Sequence, residues 1–301
     1  VPSNNDVNVL IVNGFDRVSG TNNTFDFIRQ HGSAFNNHGK AFDAASNEAV
    51  VSQQIDILDY QFVDWMLGEE GTSTSVFSYS EQNLITTYLE SGRFLFISGS
   101  EIGYDLEDQG STTDRDFYQN YLKADYISDA AGGHEGVYSG YGNGGSIFEG
   151  INTINYDDGS HGTYNVDWPD GIKPLGGASF CAAFSGIDQN SSGGMGIQYI
   201  GPFGLSNLTG GLVYLSVGFE TIYPEEKRNE IMSKIITSYE SQLKIEDSNS
   251  IQPKTVNIKN IYPNPSNSSI TISFSVLASN TTVDLSIKNI LGQEVYKTSI
   301  K

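Results

Sequence analysis

The chain is short of cysteine, of positive charge and of long apolar runs, and each shortage removes a class of protein. One cysteine, Cys181, stands among 301 residues, so no internal disulfide framework can hold the fold and no cysteine pair can form a zinc site. Its surroundings, "GGASFCAAFSG", suit a small buried hydrophobe better than a nucleophile. Sixteen basic residues face 36 acidic ones, a formal charge of −20, which repels phosphate backbones and anionic lipid surfaces. Nucleic acid is therefore not an expected partner. No stretch approaches the roughly 20 apolar residues of a membrane span, so membrane insertion is not expected. The opening "VPSNNDVNVL" has no charged-then-apolar leader, and the expectation is that a signal peptide has been removed or left out. The four histidines show no His-x-x-x-His spacing, which also disfavours zinc.

What is present suffices for a core: 38% of residues are hydrophobic and 12% aromatic. The length predicts one large domain with a smaller appendage. Few Lys and Arg, with 33 Gly and 17 Tyr, give the composition of an extracellular protein.

Three segments read as strands buried on both faces, each ending in polar or acidic residues: "VNVLIVNGFDR" from residue 7, "YQFVDWMLGEE" at 60–70 and "RFLFISGSE" from residue 93. Between the last two, Ser78 and Glu81 have capping-box spacing, Leu84, Ile85, Tyr88 and Leu89 form one apolar face, and Gly92 ends a helix. Strand, helix, strand with apolar strands predicts a parallel sheet, whose ligands sit beyond the carboxyl ends of the strands. A second helix is expected over 112–124, and further strands at "SFCAAFSG", "MGIQYIG" and "GLVYLSVGF". A closing helix follows Pro224, with Ile231, Ile235 and Ile236 facing inward. The reading divides the chain into an α/β domain over 1–240, a polar linker over 241–260 and a partial antiparallel β module over 261–301.

The tail, with "YPNP" at 262–265 and "NILGQEV" at 289–295, resembles the C-terminal sorting domains of type IX secretion. That resemblance implies a secreted or cell-surface protein whose partner in export is the type IX machinery. Such domains end with a further pair of strands, so the tail is expected to be cut short. The body, through "VLIVNGFDR", "HGSAF", "AFDAASNEAV", "WMLGEE", "FISGSEIGYDL" and "VYLSVGFETI", resembles a secreted bacterial α/β domain often labelled xanthan lyase or N-acetylmuramoyl-alanine amidase. More distantly it resembles the class I glutamine-amidotransferase fold. The fold class expected is therefore α/β, a flavodoxin-like, amidotransferase-like parallel sheet with helices on both faces, plus the small β module. In amidotransferases a Gly-x-Cys-x-Gly corner carries the nucleophile. Here Gly99 and Gly103 remain but Glu101 replaces the cysteine, and "VGFETI" keeps Glu220 without a histidine. Thiol-dependent glutaminase chemistry is excluded.

Glu101 leaves three readings open. It can be a catalytic carboxylate paired with Glu69 or Glu70, since neighbouring like charges split their pKa values. It can join Asp16, Glu69 and Asp105 around a hard cation such as calcium. It can simply accept N–H groups at a helix start. The corner "GSEIG" places serine second, so no serine elbow is formed. His31 is the histidine placed best to carry protons, with His38 nearby. Asp16, Arg17 and Ser100 at the strand exits, and Tyr164 and Trp168 among the aspartates of "INYDDGSHGTYNVDWPDG", are the expected substrate contacts. Calcium at Asp157 and Asp158 is a further option. The function expected is a hydrolase or lyase acting on extracellular polysaccharide or peptidoglycan. The alternative is a non-catalytic glycan- or calcium-binding module whose elbow is degenerate.

Overall fold

The computed structural model describes residue 3 and residues 7–20, 22–72, 74–249, 256–262, 271–276, 283–289 and 293–300. The chain forms two compact units, Val1–Gln242 and Leu243–Lys301.

In the first unit, β1 (Val9–Asn13), β2 (Phe42–Ser46), β3 (Phe62–Gly68) and β4 (Phe94–Gly99) run parallel to one another within a ten-stranded sheet. Outside that sheet, β5 (Ala124–Ser128) pairs with β8 (Gly171–Pro174). The remaining sheet strands are β6 (Ser139–Gly142), β7 (Ile154–Tyr156), β9 (Ser179–Phe184), β10 (Gly196–Pro202), β11 (Thr209–Leu215) and β12 (Ile222–Tyr223). Their order across the sheet is β12-β7-β6-β9-β10-β11-β4-β3-β1-β2. The expected parallel sheet is thus mixed: β11 runs parallel to β4, and beyond it the pairings are antiparallel.

Period-two alternation gives each strand two apolar faces, and each face has its own core. Val9, Ile11, Phe62, Phe94 and Phe96 pack on one side with helix α1 (Ile28–Asn37) and, further along the chain, with Ile231, Met232, Ile235, Ile236 and Tyr239 of the helix Glu225–Asn249. Leu10, Val12, Val63, Trp65, Leu95 and Ile97 pack on the other, with residues of the helices Tyr79–Glu90 and Thr112–Asn120. Counting the short helices Asn47–Val51 and Gln189–Ser192, these six are α1 to α6 in chain order. Ser78 caps α3 as its spacing predicts: its hydroxyl accepts from the Glu81 N–H while the Glu81 side chain takes the Ser78 N–H at 2.7 Å. The helix expected over 112–124 stops at Asn120, because Ala124 already begins β5.

Register decides where the strands end. Val9, Phe62 and Phe94 are level across β1, β3 and β4, and so are Asn13, Met66 and Ser98. The three exits therefore leave the sheet side by side.

The second unit contains two antiparallel pairs, β13 (Val256–Tyr262) with β14 (Thr271–Val276) and β15 (Val283–Lys288) with β16 (Glu294–Ile300). Helix α6 reaches Asn249, inside the stretch read as linker, since neither proline nor glycine interrupts "SQLKIED". Residues 250–255, 263–265 of "YPNP" and 290–292 of "NILGQEV" lie outside the described residues.

Candidate functional site

Glu70 organises the rim. It is buried, and its Oε2 accepts the backbone N–H groups of Asp16 and Arg17, each at 2.7 Å, which folds the loop after β1 inward. Burial pushes its carboxyl up to about 7 despite these two donors. Arg17, held there, reaches the other exits: its Nη1 donates to the Glu69 carbonyl at 3.0 Å and to Glu101 Oε1 at 3.1 Å. One guanidinium thus ties the ends of β1, β3 and β4 together. Glu101 lies over Gly71, where a Cβ would come within 2.4 Å of Glu101 Oε2. Burial raises the Glu101 carboxyl above its ordinary range, and Arg17 opposes the shift.

Glu69 faces a different environment. With Gly20, Asn22, Tyr164, Asn165 and Asp167 it lines a cleft of about 370 Å³. Burial pushes its carboxyl up to about 8, and the charges of Asp167, Glu101 and Glu220 add to the rise while Arg17 works against it. The side chain therefore carries its proton at neutral pH, in contact with a polar cleft.

The far wall comes from the aspartate-rich loop between β7 and β8. Asp157 builds its first half: the carboxylate accepts N–H groups of Gly159, His161 and Thr163 and the Thr163 hydroxyl, all at 2.8 Å. Asp170 anchors the far end. Its Oδ2 accepts the N–H groups of Gly103 at 2.6 Å and Tyr104 at 3.2 Å, and its own N–H donates to the Ser100 carbonyl at 2.9 Å. A Cβ on Gly103 would sit 2.5 Å from the Tyr118 oxygen, so the glycine of this corner serves close packing.

Of the residues expected at the site, Asp16, Arg17, Glu69, Glu70 and Glu101 are brought together, and Tyr164, itself buried, is among the residues lining the cleft. Ser100 is buried and spans to Gly68, its N–H on the Gly68 carbonyl at 2.9 Å. Trp168 is 38% exposed and is not among the residues lining the cleft. His31 has no exposed surface: its Nδ1 lies 2.7 Å from Asp64 and its Nε2 3.2 Å from Glu220. His38 is bound to the Asn229 carbonyl at 2.8 Å. Burial pushes the Cys181 thiol far up.

The calcium alternatives do not assemble. Asp105 accepts the Val76 N–H at 2.8 Å, and Asp157 spends its oxygens on its own loop. Among the described residues no three His, Cys, Asp or Glu side chains are arranged to hold a metal ion. Sequence reasoning missed Asp167 and Asn165 as cleft residues, and Asp64 as a partner of His31. Asp64 did leave a signal, a lone charge inside a strand buried on both faces.

Residues 260–301 match the secretion system C-terminal sorting domain family. The protein is accordingly secreted or held at the cell surface. Among the described residues no helix is long and apolar enough to cross a membrane. None of the curated proteins compared with the chain matches it. Solved structures similar to it include the mmIFT52 N-terminal domain, at 12% identity and TM-score 0.47, covering 76% of this chain and 96% of that one. A glutamine amidotransferase from Thermotoga maritima has 14% identity and TM-score 0.43, covering 81% and 86%. The glutaminase domain of Trypanosoma brucei CTPS with bound acivicin has 8% identity and TM-score 0.41, covering 77% and 94%. These are distant likenesses of overall fold, and no residue role is carried over from them.

Proposed function

We propose that the protein is a secreted or cell-surface hydrolase or lyase acting on extracellular glycan or peptidoglycan, with its chemistry centred on Glu69. The observation that carries this reading is that Glu69, whose carboxyl burial pushes up to about 8, lines the same cleft as a second acid, Asp167. General acid catalysis needs a proton donor whose pKa lies near the working pH, with a separate carboxylate to act as base or nucleophile. Asn22 and Asn165 supply amide donors and acceptors for sugar hydroxyls. Arg17 and Glu70 fix the rim, and Glu101, neutralised by Arg17, sets the local charge. In this assignment Glu101 moves from central acid to supporting partner. The labels xanthan lyase and N-acetylmuramoyl-alanine amidase stay at the level of substrate class.

The test is a panel of extracellular polysaccharides and peptidoglycan assayed for new reducing ends and for unsaturated or peptide products. Wild type is expected to release product from at least one member, and Glu69→Gln to release it about 100-fold more slowly or worse. Equal turnover by Glu69→Gln removes Glu69 from the chemistry.

One observation favours a second reading, a non-catalytic glycan-binding module. The corner where amidotransferases carry a nucleophile holds Glu101, and that side chain is committed to Arg17. Saturable binding to a panel member without product, retained in Glu69→Gln, selects this reading.

A further inference from the structure

The proposed chemistry leaves a chain of buried ionisable groups unused. Asp64 of β3 meets His31 of α1 at 2.7 Å, His31 meets Glu220 Oε2 at 3.2 Å, and Glu220 Oε1 accepts the Tyr164 hydroxyl at 2.5 Å. None of the four is more than 1% exposed. The Tyr164 ring is gripped edge-on by Phe15 and Phe27, at centroid distances of 5.5 and 5.4 Å. Its oxygen occupies space that a side chain at position 218 would fill, since a Cβ on Gly218 would lie 2.2 Å away. The hydroxyl thus points into the core, from a residue that belongs to the cleft lining.

We propose that His31 is a positioning residue: bridging Asp64 and Glu220, it fixes Glu220 as the acceptor that latches Tyr164, and with it the cleft wall carrying Asn165 and Asp167. Tyr164 is one anchor of that wall and Asp170 the other, so the residues between them are held at both ends. The role of Asn165 and Asp167 toward a substrate rests on the reading above. The latch does not, because it can be measured without any substrate.

Two buried acids, Asp64 and Glu220, flank His31 in a region closed to water; burial raises the Asp64 carboxyl, and the neighbouring His31 opposes that rise. The groups facing this histidine are Asp64 from β3 and Glu220 from the turn after β11, while the Phe219 ring, its centroid 4.9 Å from that of the imidazole, adds none that titrates. Glu220 in turn feels Arg228, Tyr164 and Glu69. Burial alone would lower the His31 pKa, yet the two carboxylates raise it to about 9 from an ordinary 6.5. A raised histidine pKa makes the contribution complete below 6.5 and removes it as pH rises through about 9. The latch is therefore closed at neutral pH and released in alkali.

Hydrogen exchange of the full chain, corrected for the intrinsic effect of pH, tests this. The reporters are the Thr163 and Val166 N–H groups, bound to the Asp157 side chain and carbonyl. In wild type their protection is expected to fall in a step centred near pH 9, while β1, β3 and β4 stay protected. Tyr164→Phe, which deletes one oxygen, is expected to exchange about 10- to 100-fold faster at pH 7 in this segment alone, the factor implied by losing a hydrogen bond to a charged group. It is also expected to lose the alkaline step, as is Glu220→Gln. Exchange in Tyr164→Phe equal to wild type, or wild-type protection unchanged from neutral pH through the His31 transition, overturns the latch whether or not the cleft proves catalytic.

Discussion

At the scale of single residues, the rim is governed by how carboxyls are buried and what offsets it. Glu69, Glu70 and Glu101 sit within one small region, yet Glu101 is paired with Arg17, Glu70 holds two backbone donors, and Glu69 lines the cleft. An acid whose folded pKa exceeds its unfolded value binds its proton more tightly when folded, so it costs stability as pH rises from about 4.5 to about 8. Glu69→Gln is therefore expected to be more stable than wild type at pH 8, by an amount on the order of 2 kcal/mol, and to match it near pH 4, as urea melts at the two pH values would show. Gly71→Ala tests the ion pair from the other side. The added methyl meets Glu101 Oε2, so the substitution is expected to displace Glu101 from Arg17 and to cost about 1–3 kcal/mol in thermal unfolding. A neutral result would mean that the carboxylate moves aside freely and that the pair does not hold the rim.

At the scale of elements, local chemistry fixed some pieces and distant pairing fixed others. The β3–α3–β4 unit was legible because its signals are short-range: two apolar runs, the Ser78–Glu81 box and Gly92. Ser78→Ala is expected to destabilise the first unit by about 1 kcal/mol, and Glu81→Gln by less, measured as shifts in the urea midpoint. Edge strand β2, "FDAAS", was not legible, since its small residues and partial exposure give no alternation to read. The meeting of the acidic exits could be anticipated because neighbouring parallel strands in register end level. The His31 network could not. His31 stands 33 residues from Asp64 and 189 from Glu220, and nothing local at "RQHGSAF" announces either partner. For the same reason Asp167 was one of four aspartates in its loop until tertiary structure separated the one at the cleft from Asp157 and Asp170, which serve the backbone.

At the scale of the whole molecule, the chain joins an α/β unit built on a mixed sheet to a sorting module that carries it out of the cell. Its formal charge of −20 disfavours association with nucleic acid and anionic lipid surfaces. Deleting residues 260–301 is expected to leave the protein inside the cell, as fractionation with antibody detection would show, whereas surface delivery of the deleted form would mean another signal directs export. The proposed chemistry depends on the protonation of one side chain, Glu69. The direct measurement is a ¹³C titration of the Glu69 carboxyl in the full chain, assigned by loss of the signal in Glu69→Gln. The predicted midpoint is about 8, moving down in Asp167→Asn as a repelling charge is removed, whereas a midpoint near 4.5 in wild type would contradict the proposed proton donor.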